Sequence, residues 1–211
     1  MRIIVGITGA SSTILGIRTL EVLSQLEVET HLVISEGGRL TTALECPDWP
    51  IERIHALAYT VHHPKHWAAA IASGSFLTDG MVIVPCSMKK VAEVAYSLGT
   101  DLISRAADVT LKEGRKLVLV PRESPLHLGH LRNLVRVAEI GAVVLPPIIG
   151  HYYQPQSVDD VIDHNVGKIL DQFGLSHNLM QRWPGAPALA VQDRHADNTT
   201  KGDEEGTTKG K

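Results

Sequence analysis

The chain has 211 residues and a formal net charge of -3; 44% of its residues are hydrophobic and 20% are charged. This composition is typical of a soluble globular protein. The scattered basic residues exclude a general nucleic-acid binder, and no apolar run reaches the roughly 20 residues of a membrane span. Two isolated cysteines, Cys46 and Cys86, exclude a disulfide framework, and a strand predicted from Arg2 leaves no room for a signal peptide. We therefore expect a cytoplasmic protein.

Apolar strands alternate with helical patterns along the chain, which predicts an α/β sandwich around a mostly parallel sheet. Strands are expected over residues 2–7, 29–34, 80–84, 116–120 and 142–145. Helices are expected over about residues 13–26, 38–45, 67–71, 87–97, 101–113, 128–140 and 157–174. The proline-containing segment 47–66 is expected to be irregular, and Ser157 and Asp160 form a capping box at the start of the last helix.

The end of the chain differs from the rest. From Asp193 to Lys211 it contains no aromatic residue and no aliphatic residue larger than Ala196. Such a segment buries too little surface to offset the entropy that is lost on ordering. We therefore predict one folded domain over 1–183 and a disordered tail over 184–211.

Three polar loops each follow a predicted strand, and they comprise Gly6–Ser12, Val84–Lys90 and Val120–Glu123. Ligands of open parallel sheets bind at the carboxyl ends of the strands. The loops therefore predict one site for a phosphate-bearing, nucleotide-like ligand. In the first loop, glycine permits close backbone approach and a helix N-terminus offers N–H groups to an anion. The alternative is a tight turn that only caps the helix, and Ser87 in the second loop is also open to a purely capping role.

Other patterns admit plainer interpretations. The first loop resembles that of short-chain dehydrogenases, but their Tyr-x-x-x-Lys pair is missing, because Gln156 and Ser157 follow four residues after the two tyrosines. Arg105, Asp108 and Lys112 share one helix face, which is typical of a solvated charge stripe. The histidines over 62–66 and 127–130 have plausible ligand spacing, but Pro64 disfavours a regular helical face in the first stretch and no acid flanks it as in helical zinc motifs. We therefore expect no metal site.

Together these stretches resemble the UbiX family of flavin prenyltransferases, and more narrowly the small partner proteins of bacterial phenolic-acid (hydroxyarylic acid) decarboxylases. The resemblance covers about residues 1–183. The matching stretches are Gly9–Ser11, Ala72–Ser75, Thr78–Met81, Pro85–Lys89, Arg105–Asp108, Leu111–Glu113, Leu117–Glu123, Tyr152 and Gln154–Ser157.

The resemblance implies a three-layer α/β/α sandwich of flavodoxin-like or Rossmann-like type and a homo-oligomer, often a dodecamer. It implies that reduced FMN is joined through N5 and C6 to the dimethylallyl group of dimethylallyl monophosphate, without a metal. The product, prenylated FMN, would serve a separate UbiD-type aromatic acid decarboxylase.

The resemblance also implies roles for individual residues. The flavin site would comprise Gly9, Ala10, Ser11, Ser35, Ser87, Met88, Lys89, Lys90 and Arg122. The prenyl phosphate would be held by Lys112, Arg122, Tyr152 and Lys168, with Trp67 facing the prenyl group. The residues implicated in the chemistry are Ser11, Glu45, Arg105, Lys112 and Glu123.

Two departures from the family pattern stand out. Ser12 replaces the usual glycine, where its side chain either crowds the flavin or caps the helix, and the segment from His127 keeps only His130 and Asn133 of the usual pattern.

Two other functions are weighed against prenyl transfer. One is a non-catalytic FMN carrier in a decarboxylase complex, and the other is a related flavoprotein decarboxylase, whose Pro-x-Met-Asn-x-x-Met-Trp segment is missing here.

Overall fold

The computed structural model describes residues 1–183 and Gly185, and the tail predicted over 184–211 lies almost entirely outside this range. Within the described residues, six parallel strands form one sheet in the order β3-β2-β1-β4-β5-β6. In chain order they are β1 Arg2–Ile7, β2 Glu29–Ile34, β3 Thr60–His62, β4 Gly80–Cys86, β5 Lys116–Pro121 and β6 Val143–Val144. The predicted α/β class is confirmed, and the sheet is parallel throughout.

The helices connect the strands across both faces of this sheet. They are α1 Thr13–Gln25, α2 Glu36–Glu45, α3 Ile51–His55, α4 Met88–Ala95, α5 Leu102–Lys112, α6 Leu128–Glu139 and α7 Val158–Gln172, with a short 3₁₀ turn at Ala70–Ala72. The capping box at Ser157 is confirmed, since its hydroxyl accepts from the Asp160 N–H at 3.2 Å and the Asp160 carboxylate accepts from the Ser157 N–H at 2.9 Å.

Alternation of side chains along the strands creates the three layers. Ile3, Val5 and Ile7 of β1 face a core that includes residues of α1 and α7, whereas Ile4 faces a second core that includes residues of α4, α5 and α6. Because both faces are covered, the central strands are apolar without interruption, which is why they were recognisable in the sequence.

The structure corrects the sequence prediction in one region. The segment 47–66, expected to be irregular, contains α3 and the edge strand β3, and the helix expected over 67–71 is replaced by the 3₁₀ turn at Ala70–Ala72. A strand of three residues at a sheet edge carries too little periodicity to be recognised. Among the described residues, no helix is both long and apolar enough to cross a membrane.

A buried ion cluster fixes α4 to the start of α5. The Lys90 ammonium, only 4% exposed, binds Glu93 one turn on and both oxygens of Asp101 at 2.8 and 2.9 Å. Asp101 also caps α5 by accepting from the Ser104 N–H at 2.9 Å. One cation therefore binds two carboxylates, one on α4 and one at the start of α5, and holds the two helices together.

We expect Lys90→Met to lower the free energy of unfolding by about 3 to 5 kcal/mol, because it leaves the buried Glu93 without its cation. Urea denaturation at fixed protein concentration measures this loss. The matched control is Lys89→Met, since Lys89 is exposed and reaches Glu93 only at 3.9 Å, and it should cost less than about 1 kcal/mol. Equal losses in the two variants would contradict the assignment.

Candidate functional site

The loops after β1 and β4 are joined by one buried side chain, Thr8. Its hydroxyl donates to the Pro85 carbonyl at 2.8 Å and accepts from the Ser87 N–H at 2.8 Å, and its own N–H donates to the same carbonyl at 3.2 Å. Because β1 and β4 are neighbours in the sheet, this bridge holds two of the three predicted loops side by side. Thr8 was not among the predicted site residues.

The loop after β1 also touches the start of α2. A methyl group added to Gly9 would lie 2.9 Å from the Cα of Gly37, so the two backbones are nearly in contact. Ser35, at the end of β2, caps α2 by accepting from the Gly38 N–H at 3.0 Å. The sequence suggested that a glycine in this loop allows a ligand to approach the backbone, whereas the structure shows Gly9 against the backbone of Gly37.

The N-terminus of α1 is occupied by a carboxylate from the chain itself. Glu45, the last residue of α2, accepts from the Ser12 N–H at 2.8 Å and from the Thr13 N–H at 3.2 Å. Desolvation of Glu45 opposes its ionisation, but hydrogen bonds from the Ser11 hydroxyl, Ser12 and Thr13 outweigh this and hold the pKa of the carboxyl below its usual range. The anion at this helix N-terminus is therefore the carboxylate of Glu45, which belongs to the chain itself.

Ser12 does not cap α1 with its side chain, although it occupies the N-cap position. Its backbone is left-handed, with φ 76° and ψ 39°, a conformation that favours glycine. This explains physically why a glycine is usual here in the family pattern, and it removes the capping interpretation of Ser12.

The loop after β4 leads into α4, and the first turn of this helix has both buried and exposed side chains. Ser87 caps α4 by accepting from the Lys90 N–H at 3.3 Å, as its capping interpretation predicted. Met88 is buried in the core and the Lys90 ammonium is held by carboxylates, whereas Lys89 is exposed. Only backbone groups of Met88 and Lys90 are thus left to face a ligand.

The loop after β5 lies next to that of β4, because the Arg122 N–H donates to the Cys86 carbonyl at 3.3 Å. Arg122 is half-buried and Glu123 is exposed, and a Glu123 oxygen accepts from the Ser124 N–H at 3.1 Å. The carboxyl edge of the sheet thus gathers the N-termini of α2 and α4, two serines and a charged pair. A cavity of about 450 Å³ adjoins it, lined by Ser11, Ser12, Ile14, Glu45, Cys46, Pro47, Asp48 and Trp49.

Two predicted residues on α5 lie along a different surface. Arg105 donates to the Ala72 carbonyl at 3.2 Å and pairs with Asp108 at 3.0 Å, while Lys112 pairs with Glu113 beside Gly74. Lys112 ends α5 ahead of the amino end of β5, whereas Arg122 follows its carboxyl end. The two ends of β5 are roughly 17 Å apart, and the segments that carry the two cations lie at opposite ends of this strand.

The remaining predicted residues lie on surfaces of the described chain. Trp67 is 50% exposed in the connection between β3 and β4, and Tyr152 is 53% exposed between β6 and α7. Lys168 is exposed on α7 and lies 3.8 Å from Asp171. The Tyr152 hydroxyl lies 3.4 Å from Nε2 of His164, a buried residue that the sequence did not single out.

Two of the histidines that suggested a metal site, His62 and His127, are engaged in other contacts. His31 and His62 share a hydrogen bond of 2.9 Å, and Nδ1 of His127 accepts from the N–H groups of Gly129 and His130 at the start of α6. In the part of the chain that the structure describes, no group of three histidine, cysteine or acidic side chains is placed to hold a metal ion.

A parallel α/β sheet with helix N-termini and glycine-lined backbone at its carboxyl edge defines a nucleotide-binding or flavin-binding protein. Comparison with known proteins specifies the class further. A family model described as Flavoprotein matches residues 1–170. Flavin prenyltransferase UbiX of Escherichia coli is 50% identical over 188 residues, covering 88% of this chain and 99% of its own length. Flavin prenyltransferase LpdB of Lactiplantibacillus plantarum is 52% identical over 185 residues, covering 87% and 98%.

Solved structures agree with these relatives. The crystal structure of AnUbiX in complex with FMN and dimethylallyl pyrophosphate is 47% identical, has a TM-score of 0.86 and covers 88% of this chain and 98% of its own. A dodecameric FMN-dependent UbiX-like decarboxylase from Escherichia coli O157:H7 is 47% identical, has a TM-score of 0.85 and covers 88% and 100%. The chain belongs to the UbiX family of flavin prenyltransferases, which confirms the family that its motifs indicated.

We expect Ser12→Gly to raise the free energy of unfolding by about 0.5 to 1 kcal/mol, because glycine adopts the left-handed backbone without strain. The backbone N–H of residue 12, which donates a hydrogen bond to Glu45, is retained in this variant. Urea denaturation of the flavin-free protein measures the gain.

The control is Ser24→Gly inside α1, where the same substitution should cost about 0.5 kcal/mol because glycine is the poorer helix former. A loss of stability in Ser12→Gly would show that the left-handed backbone at this position is not a source of strain.

Proposed function

We propose that the protein transfers the dimethylallyl group of dimethylallyl monophosphate to reduced FMN, producing prenylated FMN for a UbiD-type decarboxylase. The observation that carries this proposal is the bridge from Thr8 to Pro85 and Ser87, which joins two strand-end loops into one ligand-binding edge. The family membership supports the reaction class, and a relative solved with FMN and dimethylallyl pyrophosphate supports the pair of ligands.

The carboxyl edge of the sheet suits FMN in shape and charge. A side chain at Gly9 would collide with Gly37, so the loop after β1 packs closely against the start of α2, and the α2 and α4 N-termini provide positive potential for a phosphate. The residues that would hold FMN are Gly9, Ala10, Ser11, Ser35, Ser87, Lys89 and Arg122, with the backbone of Met88 and Lys90. When bound, reduced FMN supplies the nucleophilic N5 and C6 atoms that accept the prenyl carbons.

Glu45 has a positioning role in this proposal. Its carboxylate holds the Ser11 hydroxyl and the backbone of Ser12 and Thr13, so it sets the conformation of the loop that would lie against the flavin. Its lowered pKa keeps it ionised at neutral pH, which suits an acceptor of several hydrogen bonds. Ser11 thereby presents a fixed hydroxyl to the site.

Departure of the phosphate requires positive charge around it. Arg105, Lys112, Arg122 and Lys168, with the hydroxyl of Tyr152, would provide that charge and a hydrogen bond. Because Lys112 and Arg122 lie at opposite ends of β5, we infer that a second copy of the chain contributes Lys112 to the site. The half-exposed Trp67 would offer its aromatic face to the developing allylic cation.

Glu123 is the proposed acceptor of the proton that leaves flavin C6 on ring closure. It is exposed at the carboxyl end of β5 and forms no ion pair within the described residues, so its carboxylate is available as a base. Its neighbour Arg122 would bind phosphate in the same loop, which places acid–base chemistry next to the leaving group.

Apolar side chains on two helices support assembly into a homo-oligomer, as in the dodecameric relative. Leu128, Leu131 and Val135 form a stripe along α6 and are 59%, 46% and 58% exposed, and Leu40 and Leu44 of α2 are 64% and 75% exposed. Stripes of this kind are costly in water and are typical of subunit contacts. We propose a dodecamer that uses both helices.

Anaerobic incubation of the protein with reduced FMN and dimethylallyl monophosphate, followed by mass spectrometry of the extracted flavin, tests the reaction. We expect a mass gain of one five-carbon prenyl unit, and the extracted product should activate a UbiD-type apoenzyme. Retention of unmodified FMN would instead support a flavin carrier, the alternative that keeps the loops without the chemistry.

In the same assay, Glu123→Gln should lower turnover about 100-fold while FMN affinity stays within about twofold, because only the base is removed. Glu27→Gln is the matched control, since Glu27 is an exposed carboxylate between α1 and β2, at the opposite edge of the sheet. Unchanged turnover in Glu123→Gln would assign the proton to another acceptor, such as the released phosphate.

Leu131→Asp combined with Val135→Asp should dissociate the oligomer, because charges on the α6 stripe would be desolvated in a subunit contact. Size-exclusion chromatography with light scattering measures the molar mass. Leu26→Asp, which places the same charge on an exposed leucine at the end of α1, is the control and should leave the mass unchanged. An intact oligomer in the α6 variant would contradict the proposed contact.

A further inference from the structure

A buried histidine lies between two of the residues proposed to bind the prenyl phosphate. His164 is on the inner side of α7 and 6% exposed, and its Nε2 lies 3.4 Å from the hydroxyl oxygen of Tyr152. Lys168 follows one turn later on the same helix. No motif of the sequence assigned His164 a role.

Two aromatic rings fix the plane of the imidazole. The ring of Tyr153 stacks on it with centroids 4.1 Å apart and an angle of 4°, and the ring of Tyr152 meets it edge-on at 5.7 Å and 76°. A ring held in this way has little rotational freedom. Its Nε2 is therefore directed at the Tyr152 hydroxyl by packing and by the hydrogen bond together.

The protonation of the ring follows from its surroundings. Burial, aided by the positive charge of Lys168, lowers the pKa of His164, so the imidazole is neutral at neutral pH and carries a single N–H. Its Nδ1 is buried and has no hydrogen-bond partner within the described residues. Placing the hydrogen on Nδ1 would bury an unpaired N–H, whereas placing it on Nε2 pairs it with Tyr152.

We propose that His164 is a positioning residue whose Nε2–H donates to the Tyr152 oxygen and so turns the Tyr152 hydroxyl hydrogen toward the phosphate of the prenyl substrate. A hydroxyl that accepts one hydrogen bond is a stronger donor of another. Tyr152 thereby acts as a donor of fixed direction, which is the role that a departing phosphate needs. This inference rests on the proposed function, because that function places Tyr152 at the phosphate.

The test measures binding of dimethylallyl monophosphate to protein loaded with oxidised FMN, by titration calorimetry, where no prenyl transfer takes place. His164→Phe keeps the ring that stacks on Tyr153 but has no N–H, and we expect affinity to fall about three- to tenfold. His164→Gln restores a donor near the same position and should stay within about twofold of the wild type. KM for the prenyl substrate should follow the affinity, whereas FMN affinity should not change in either variant.

Tyr152→Phe completes a double-mutant cycle. With the hydroxyl absent, adding His164→Phe should cause no further loss of affinity, because the histidine would have nothing left to orient. Equal losses in both backgrounds, or full affinity in His164→Phe, would overturn the inference and leave His164 with a packing role alone. If the wild type itself binds no dimethylallyl monophosphate, the proposed substrate is wrong and the inference falls with it. If Tyr152→Phe weakens binding and His164→Phe does not, only the inference about His164 falls.

Discussion

The ligand-binding edge depends on the two hydrogen bonds made by the hydroxyl of Thr8. It pairs with the Pro85 carbonyl near the end of β4 and with the Ser87 N–H at the start of α4, in a place where Thr8 is 1% exposed. Parallel strands end at a common edge, but their loops diverge unless something joins them. This one side chain makes the loops of β1 and β4 a single surface, and the Arg122 bond to the Cys86 carbonyl extends that surface to β5.

Helices α1, α2, α4 and α6 follow strands at this edge, and their N-termini are not equivalent. Ser35 and Ser87 cap α2 and α4 through their own hydroxyls, whereas α1 is capped by Glu45, a carboxylate from the end of α2. Positive potential at α1 is thus neutralised inside the chain. An anionic ligand would be drawn to α2 and α4 instead, so an internal acid decides which helix ends are open to phosphate.

The cations proposed to bind the prenyl phosphate lie on different elements of one chain. Lys112 lies ahead of β5 and Arg122 beyond it, while Lys168 lies on α7 and Tyr152 just before that helix. A doubly charged phosphate needs several cations at one point. Apolar stripes on α2 and α6 offer the contacts that would bring such groups together from two copies, so the catalytic chemistry and the assembly are expected to depend on each other.

The sequence by itself determined the layered α/β class, a mostly parallel sheet and the family, because buried strands are continuous apolar runs and the loops after them are short and distinctive. Its assignment of residues to the site stays a prediction. Only the tertiary structure decided what those residues touch. It showed that β3 is a strand despite its three residues, that Lys90 holds two carboxylates and that Ser12 is left-handed without capping. It also showed that Thr8, Gly37 and His164 contact residues predicted for the site. The physical reason is that these contacts join segments dozens of residues apart, and their energies depend on distances and burial that no local pattern encodes.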